Sequence, residues 1–92
     1  MIVYKITLPH DVDMMIGETQ IVQIEDVEVG AEFLHAREYG KAICVWYRCE
    51  PGAPRVPHRF TVVGTGQPAP NARYIGTTIR NDRVGHVFVE PI

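Results

Sequence analysis

Serine is absent from this 92-residue chain, and serine-nucleophile chemistry is excluded with it. Cysteine is scarce: Cys44 and Cys49 are the only two, and both lie in the segment AICVWYRCE. On a single strand their odd spacing turns them to opposite sides and beyond disulfide reach of each other, so reduced packing thiols are expected. An apolar strand also lacks the electropositive, accessible setting that a reactive thiolate needs. There is one tryptophan, which leaves the basic-plus-aromatic signature of single-strand binders weak, and a net charge of −2 gives no general pull toward nucleic acid. No apolar run is long enough to span a bilayer, and the N-terminal MIVYKITLP carries Lys5 and no small-residue cleavage pattern. Neither a membrane span nor a signal peptide is expected, and the expected compartment is the cytoplasm.

Other chemistry is thin as well. His10, His35, His58 and His86 have no spacing that resembles a zinc site. The carboxylates gather at Asp11, Asp13 and Glu18 and again at Glu25, Asp26 and Glu28, where the pattern predicts connections and therefore solvated charge instead of a catalytic pair. No enzyme, metal or cofactor is expected.

What is present is apolar material, 46% of the residues, enough for one core. A chain of this length buries roughly 60 to 65% of its unfolded surface, which predicts a single domain over residues 1–92. Ile2, Tyr4, Ile6 and Leu8 alternate with Val3, Lys5 and Thr7, the period of a half-buried strand, with Pro9 expected to end it. His10 to Glu18 reads as a loop or a single helical turn over Val12 to Ile16. A second strand is expected over Thr19 to Glu25, with DVEVG as a connection.

Two hairpins follow. In EFLHAREYGKAICVWYRC the expected turn is Tyr39 and Gly40, which would set Glu38 opposite Lys41, Leu34 opposite Val45, His35 opposite Cys44 and Phe33 opposite Trp46. In YIGTTIRNDRVGHVFVE the expected turn is Asn81 and Asp82, setting Ile79 opposite Val84, Thr77 opposite His86 and Ile75 opposite Phe88. Between them Pro51, Pro54 and Pro57 are expected to prevent regular pairing until about His58. The strand 42–49 is apolar on both faces, which places it centrally, covered by a second sheet on one side and by a loop or a neighbouring subunit on the other. The whole predicts an all-β fold: a small antiparallel sandwich or partly open barrel of about seven strands, with at most one short helical turn.

The glycines of FTVVGTGQPAPNARYIGT invite comparison with a phosphate loop, but Pro68 and Pro70 stand where a helix N-terminus is needed. Gly64, Gly66 and Gly76 are therefore read as a structural corner between strands. The partner-binding candidates are cationic: Arg48, Arg55, His58 and Arg59, with Arg73, Arg80 and Arg83 on the last hairpin. Brought together they would grip an acidic protein surface, a nucleotide or a nucleic-acid backbone, while a simple solvated surface is the ordinary reading.

The segments GKAICVW, GTGQP, YIGT and HVFVE, in that order, resemble an uncharacterised family of short phage and prophage proteins. The resemblance runs over nearly the whole chain. Tyr39 departs from it, standing where an asparagine commonly precedes the turn glycine, and so do the extra residues in His10 to Glu18. It implies a phage-type gene expressed in the host bacterial cytoplasm. In that setting the expectation is a non-enzymatic accessory protein that binds a host protein and inhibits it, with an antiviral defence component as the concrete target, as an anti-CRISPR protein does. The alternatives are a homo-oligomer that binds a nucleotide signal, and a minor virion or assembly component.

Overall fold

A computed structural model describes residues 1–11, 19–80 and 83–91. Among these residues there are seven strands: β1 (Ile2–Asp11), β2 (Thr19–Glu28), β3 (Glu32–Tyr39), β4 (Ala42–Cys49), β5 (Arg55–Gly64), β6 (Arg73–Arg80) and β7 (Arg83–Val89). All pairings are antiparallel. They form a three-stranded sheet in the order β1-β4-β3 and a four-stranded sheet in the order β2-β5-β7-β6, so the all-β expectation holds as a two-sheet sandwich, not a closed barrel. The helical turn expected at Val12 to Ile16 and the turn residues Asn81 and Asp82 lie outside the described residues.

One core joins the sheets. Ile43, Val45, Tyr47 and Cys49 of β4 point inward with Phe33 and Ala36, and meet Val27, Phe60, Val62, Ile75 and Val87 of the other sheet. The Phe33 ring stands perpendicular to Phe60, centroids 5.3 Å apart, an edge-to-face contact across the interface. β4 is central in its sheet, as its doubly apolar pattern predicts. Its outer face is covered more thinly: Cys44 is buried beside Thr7, while Trp46 is half-buried.

The sheets approach unequally. β3 packs on β6, whereas β1 and β2 barely touch. Gly76 makes the close side possible, because a Cβ there would run into the backbone carbonyl of Ala36. Gly76 is thus not part of a corner but the point where two strands from different sheets meet backbone to backbone.

Several expected registers shift. The first hairpin turns at Gly40 and Lys41, with Tyr39 opposite Ala42, because the left-handed φ of +64° falls on the first turn residue, which glycine fills without strain. Glu38 therefore faces Ile43, not Lys41, and Arg37, not His35, faces Cys44. Leu34 then bulges, so Phe33 faces Tyr47 and His35 faces Trp46. In the second hairpin Ile79 faces Val84 and Thr77 faces His86 as expected, but a bulge at Ile75 puts Tyr74, not Ile75, opposite Phe88.

Proline is absorbed where interruption was expected. β1 continues through Pro9 to Asp11, with its register broken after Leu8. β5 begins at Arg55, well before His58, and Pro57 sits opposite a bulge in β2 where Glu25 and Asp26 occupy the space of one residue. An imino residue with no N–H loses nothing opposite a stretch already out of register. β2 consequently runs to Glu28, and what was read as the connection DVEVG is mostly strand.

Candidate functional site: a cleft at one end of the sandwich

The strand directions bring the end of β2, the start of β3, the start of β5, the start of β6 and the end of β7 to one end of the molecule. There a cleft of about 600 Å³ opens between the sheets. The β2–β3 turn (Val29, Gly30, Ala31), Phe33, Val89 and Pro91 give it an apolar lining, and His58, Asn71, Arg73 and Glu90 supply its polar groups.

His58 belongs to β5 and is almost wholly buried, its ring edge-on to Phe33 at 5.3 Å. Its Nδ1 lies 2.9 Å from the Val56 carbonyl oxygen. A carbonyl only accepts, so Nδ1 carries the proton in this bond and Nε2 is left with its lone pair when the ring is neutral. Arg73 enters the same cleft from β6.

Behind Phe33 lies a polar cluster inside the core. Phe33 stacks at a tilt on Tyr47, 5.8 Å between centroids. The Tyr47 hydroxyl donates to Glu28 Oε1 at 3.1 Å, and the Cys49 thiol donates to Glu28 Oε2 at 3.1 Å. Arg55 stands 4.0 Å from the same carboxylate. The hydrogen bond from Cys49 is the main cause that holds the Glu28 carboxyl below its ordinary range; burial opposes it, and Tyr47 and Arg55 assist. Burial, with the Glu28 hydrogen bond second, pushes the Cys49 thiol up and the Tyr47 phenol up to about 12. Cys49 is thus a protonated donor to a carboxylate, and neither it nor Cys44 is in a disulfide.

The cationic candidates are spread over several elements. Arg48 is bound to Glu32, with Nη2 2.6 Å from its Oε2, Arg55 pairs with Glu28, and Arg59 stands 3.7 Å from Glu90. Arg73 has no carboxylate partner among the described residues. Arg80 and Arg83 face each other at the far end of the β6–β7 hairpin, seven and six residues along from the Arg73–Val89 pair, which is on the order of 20 Å of strand. Of the expected cationic set only His58 and Arg73 share the cleft.

The glycine corner is at the end away from the cleft. Gly64 closes β5 and pairs with Gly85, Gly66 takes φ +94°, and the Gln67 N–H donates to the Gly64 carbonyl, a turn as expected. Beside it Thr65, His86, Thr77 and Tyr74 form a chain of side-chain hydrogen bonds on the outer face of the four-stranded sheet. The sequence expectation of solvated charge fails for Glu28, which lies in β2 and is buried; following Glu25 and Asp26, it reads as part of a charged connection. The available signal was on another strand: Tyr47 and Cys49 are two residues apart on the inward face of β4, and two buried donors require an acceptor.

Among the described residues no group of histidine, cysteine, aspartate and glutamate could hold a metal ion, and no helix is long and apolar enough to cross a membrane. No curated protein and no solved structure matches the chain. One family model does match, over residues 1–92, and the chain belongs to that family, the Domain of unknown function (DUF7352).

Proposed function

We propose that this is a non-enzymatic accessory protein of phage or prophage type that binds a host protein and inhibits it, with a bacterial antiviral defence component as the target, in the manner of an anti-CRISPR protein. The observation that carries the reading is the edge of the three-stranded sheet. Among the described residues β1 has a hydrogen-bonded neighbour on one side only, and Met1, just before it, and its first residues Ile2, Val3 and Tyr4 are exposed apolar groups. A long apolar edge strand is a surface that monomers usually blunt, and an added strand from a partner satisfies its free backbone groups while covering its side chains. The order of GKAICVW, GTGQP, YIGT and HVFVE supplies the phage setting.

The test is expression of the protein in bacterial strains that each carry one defence system, followed by challenge with a phage that system restricts. At least a tenfold rise in plaques in one strain is expected, lost with Val3→Lys. No rise in any strain overturns the reading.

A second reading, small-ligand binding, is favoured by the cleft, where a buried histidine and an arginine with no carboxylate partner among the described residues meet an apolar lining. Calorimetry with a panel of nucleotides and small acids separates it from a purely protein-binding role. The glycine corner takes no part in this reading, since it stands at the opposite end of the sandwich.

A further inference from the structure

We infer that the cleft is a binding site for a small apolar monocarboxylate, with the carboxylate on Arg73, the body against Phe33, Ala31 and Val89, and a hydrogen-bond donor facing His58. The inference rests on the small-ligand reading of the cleft and is independent of the host-protein reading.

Three observations select this chemistry. His58 is 2% exposed and lines the cleft, and with Nδ1 donating to the Val56 carbonyl the Nε2 of the neutral ring is an acceptor. Buried acceptors are paired in folded proteins, so the group that enters there brings an N–H or O–H.

Arg48, Arg55 and Arg59 are each drawn to a carboxylate of the fold, whereas Arg73 has none among the described residues. The planar guanidinium fits a carboxylate through two parallel hydrogen bonds.

Charge then decides between anions. Glu90 lines the same cleft and stands 3.7 Å from Arg59, which is outside the lining, so Arg73 is the one arginine the lining offers an incoming anion. A nucleotide phosphate would bring about two negative charges or more, of which the single lining arginine, Arg73, matches one. A single negative charge is what Arg73 can take. The apolar lining contributed by Val29, Ala31, Phe33 and Val89 calls for an aliphatic or aromatic body, and about 600 Å³ falls within the range of small-ligand sites. Phe33 is held in place from behind by Phe60 and Tyr47, so this wall is formed before the ligand arrives.

The test is a titration of the full-length protein, followed by amide NMR, with N-acetyl-phenylalanine, its carboxamide and guanosine monophosphate. The acid is expected to bind saturably with a Kd on the order of 1 mM, about what a compound of this size gives. Its shifts should centre on Ala31, Phe33, His58 and Arg73. The carboxamide should bind at least tenfold more weakly, and Arg73→Gln, an exposed position, should weaken the acid by a similar factor while the rest of the spectrum stays unchanged. Equal binding of acid and carboxamide, or shifts away from the cleft, overturns the inference. Cleft binding by the nucleotide but not by the acid also overturns it while leaving the small-ligand reading standing; binding by none of the three overturns both.

Discussion

The Cys49 thiol donates to Glu28 Oε2 across the interior of the sandwich at 3.1 Å, linking the central strand of one sheet to an edge strand of the other. Tyr47, one inward position earlier, donates to the second oxygen of the same carboxylate. A buried charge is tolerated when its lone pairs are taken up, and here both oxygens are occupied.

Tyr47→Phe removes one of those donors without changing the ring that packs on Phe33. A hydrogen bond to a charged group contributes about 1.5 to 3 kcal/mol, so a loss of stability in that range is expected by urea denaturation. A loss below about 0.5 kcal/mol would mean that the Tyr47 hydroxyl contributes nothing.

The same cluster sets the pH response. Glu28 titrates below its ordinary range in the fold, so the unfolded chain binds the proton first as pH falls, and the stability it contributes is present above the ordinary carboxylate pKa and lost on acidification through the lowered folded value. Tyr47 behaves in the opposite sense: raised from 10.0 to about 12, it contributes stability below 10.0 that is lost as pH climbs toward 12. The urea midpoint measured against pH should fall at both ends, and Tyr47→Phe should flatten the alkaline limb. An unchanged alkaline limb would count against the Tyr47 assignment.

Glycine substitutions separate two physical causes. Gly66→Ala puts a side chain on a left-handed residue with open space around it, and about 1 kcal/mol of destabilisation is expected. Gly76→Ala drives a Cβ into the backbone of Ala36, where nothing flexible can yield, and a larger loss, about 1 to 3 kcal/mol or failure to fold, is expected. Thermal unfolding of the two variants side by side checks the order; the reverse order would refute the close approach of β3 and β6.

Val3→Lys tests the proposed edge. Val3 is 59% exposed, so a lysine there should change stability by no more than about 0.5 kcal/mol. Loss of defence inhibition with an unchanged denaturation midpoint ties the function to β1, whereas full activity removes β1 from the binding surface.

The strand content was legible because alternation in Ile2 to Leu8 and the doubly apolar 42–49 are local signals of period two. Bulges were not legible. Nothing within FLH marks the extra residue at Leu34, and beside Ile75 the one local sign was Gly76, a glycine within a strand pattern, which was read as a corner. Pro57 misled because its tolerance depends on a bulge in a different strand. The cleft gathers residues from five segments, so only His58 and Arg73 were picked out, as cations, and their separation from Arg80 and Arg83 required the strand directions. Glu28 was hidden by its acidic neighbours.

Cys44 and Cys49 lie on opposite faces of one central strand, both buried. A thiol-alkylating reagent cannot reach either while the fold is intact, so the rate at which it labels the protein counts the rare molecules that have opened. Cys44 reports on the outer surface and Cys49 on the space between the sheets. Equal labelling rates would signify global unfolding, and faster labelling of Cys44 would signify peeling of β1 alone. The two thiols thus form an internal clock, one hand for each side of the strand, readable by mass spectrometry without any added probe.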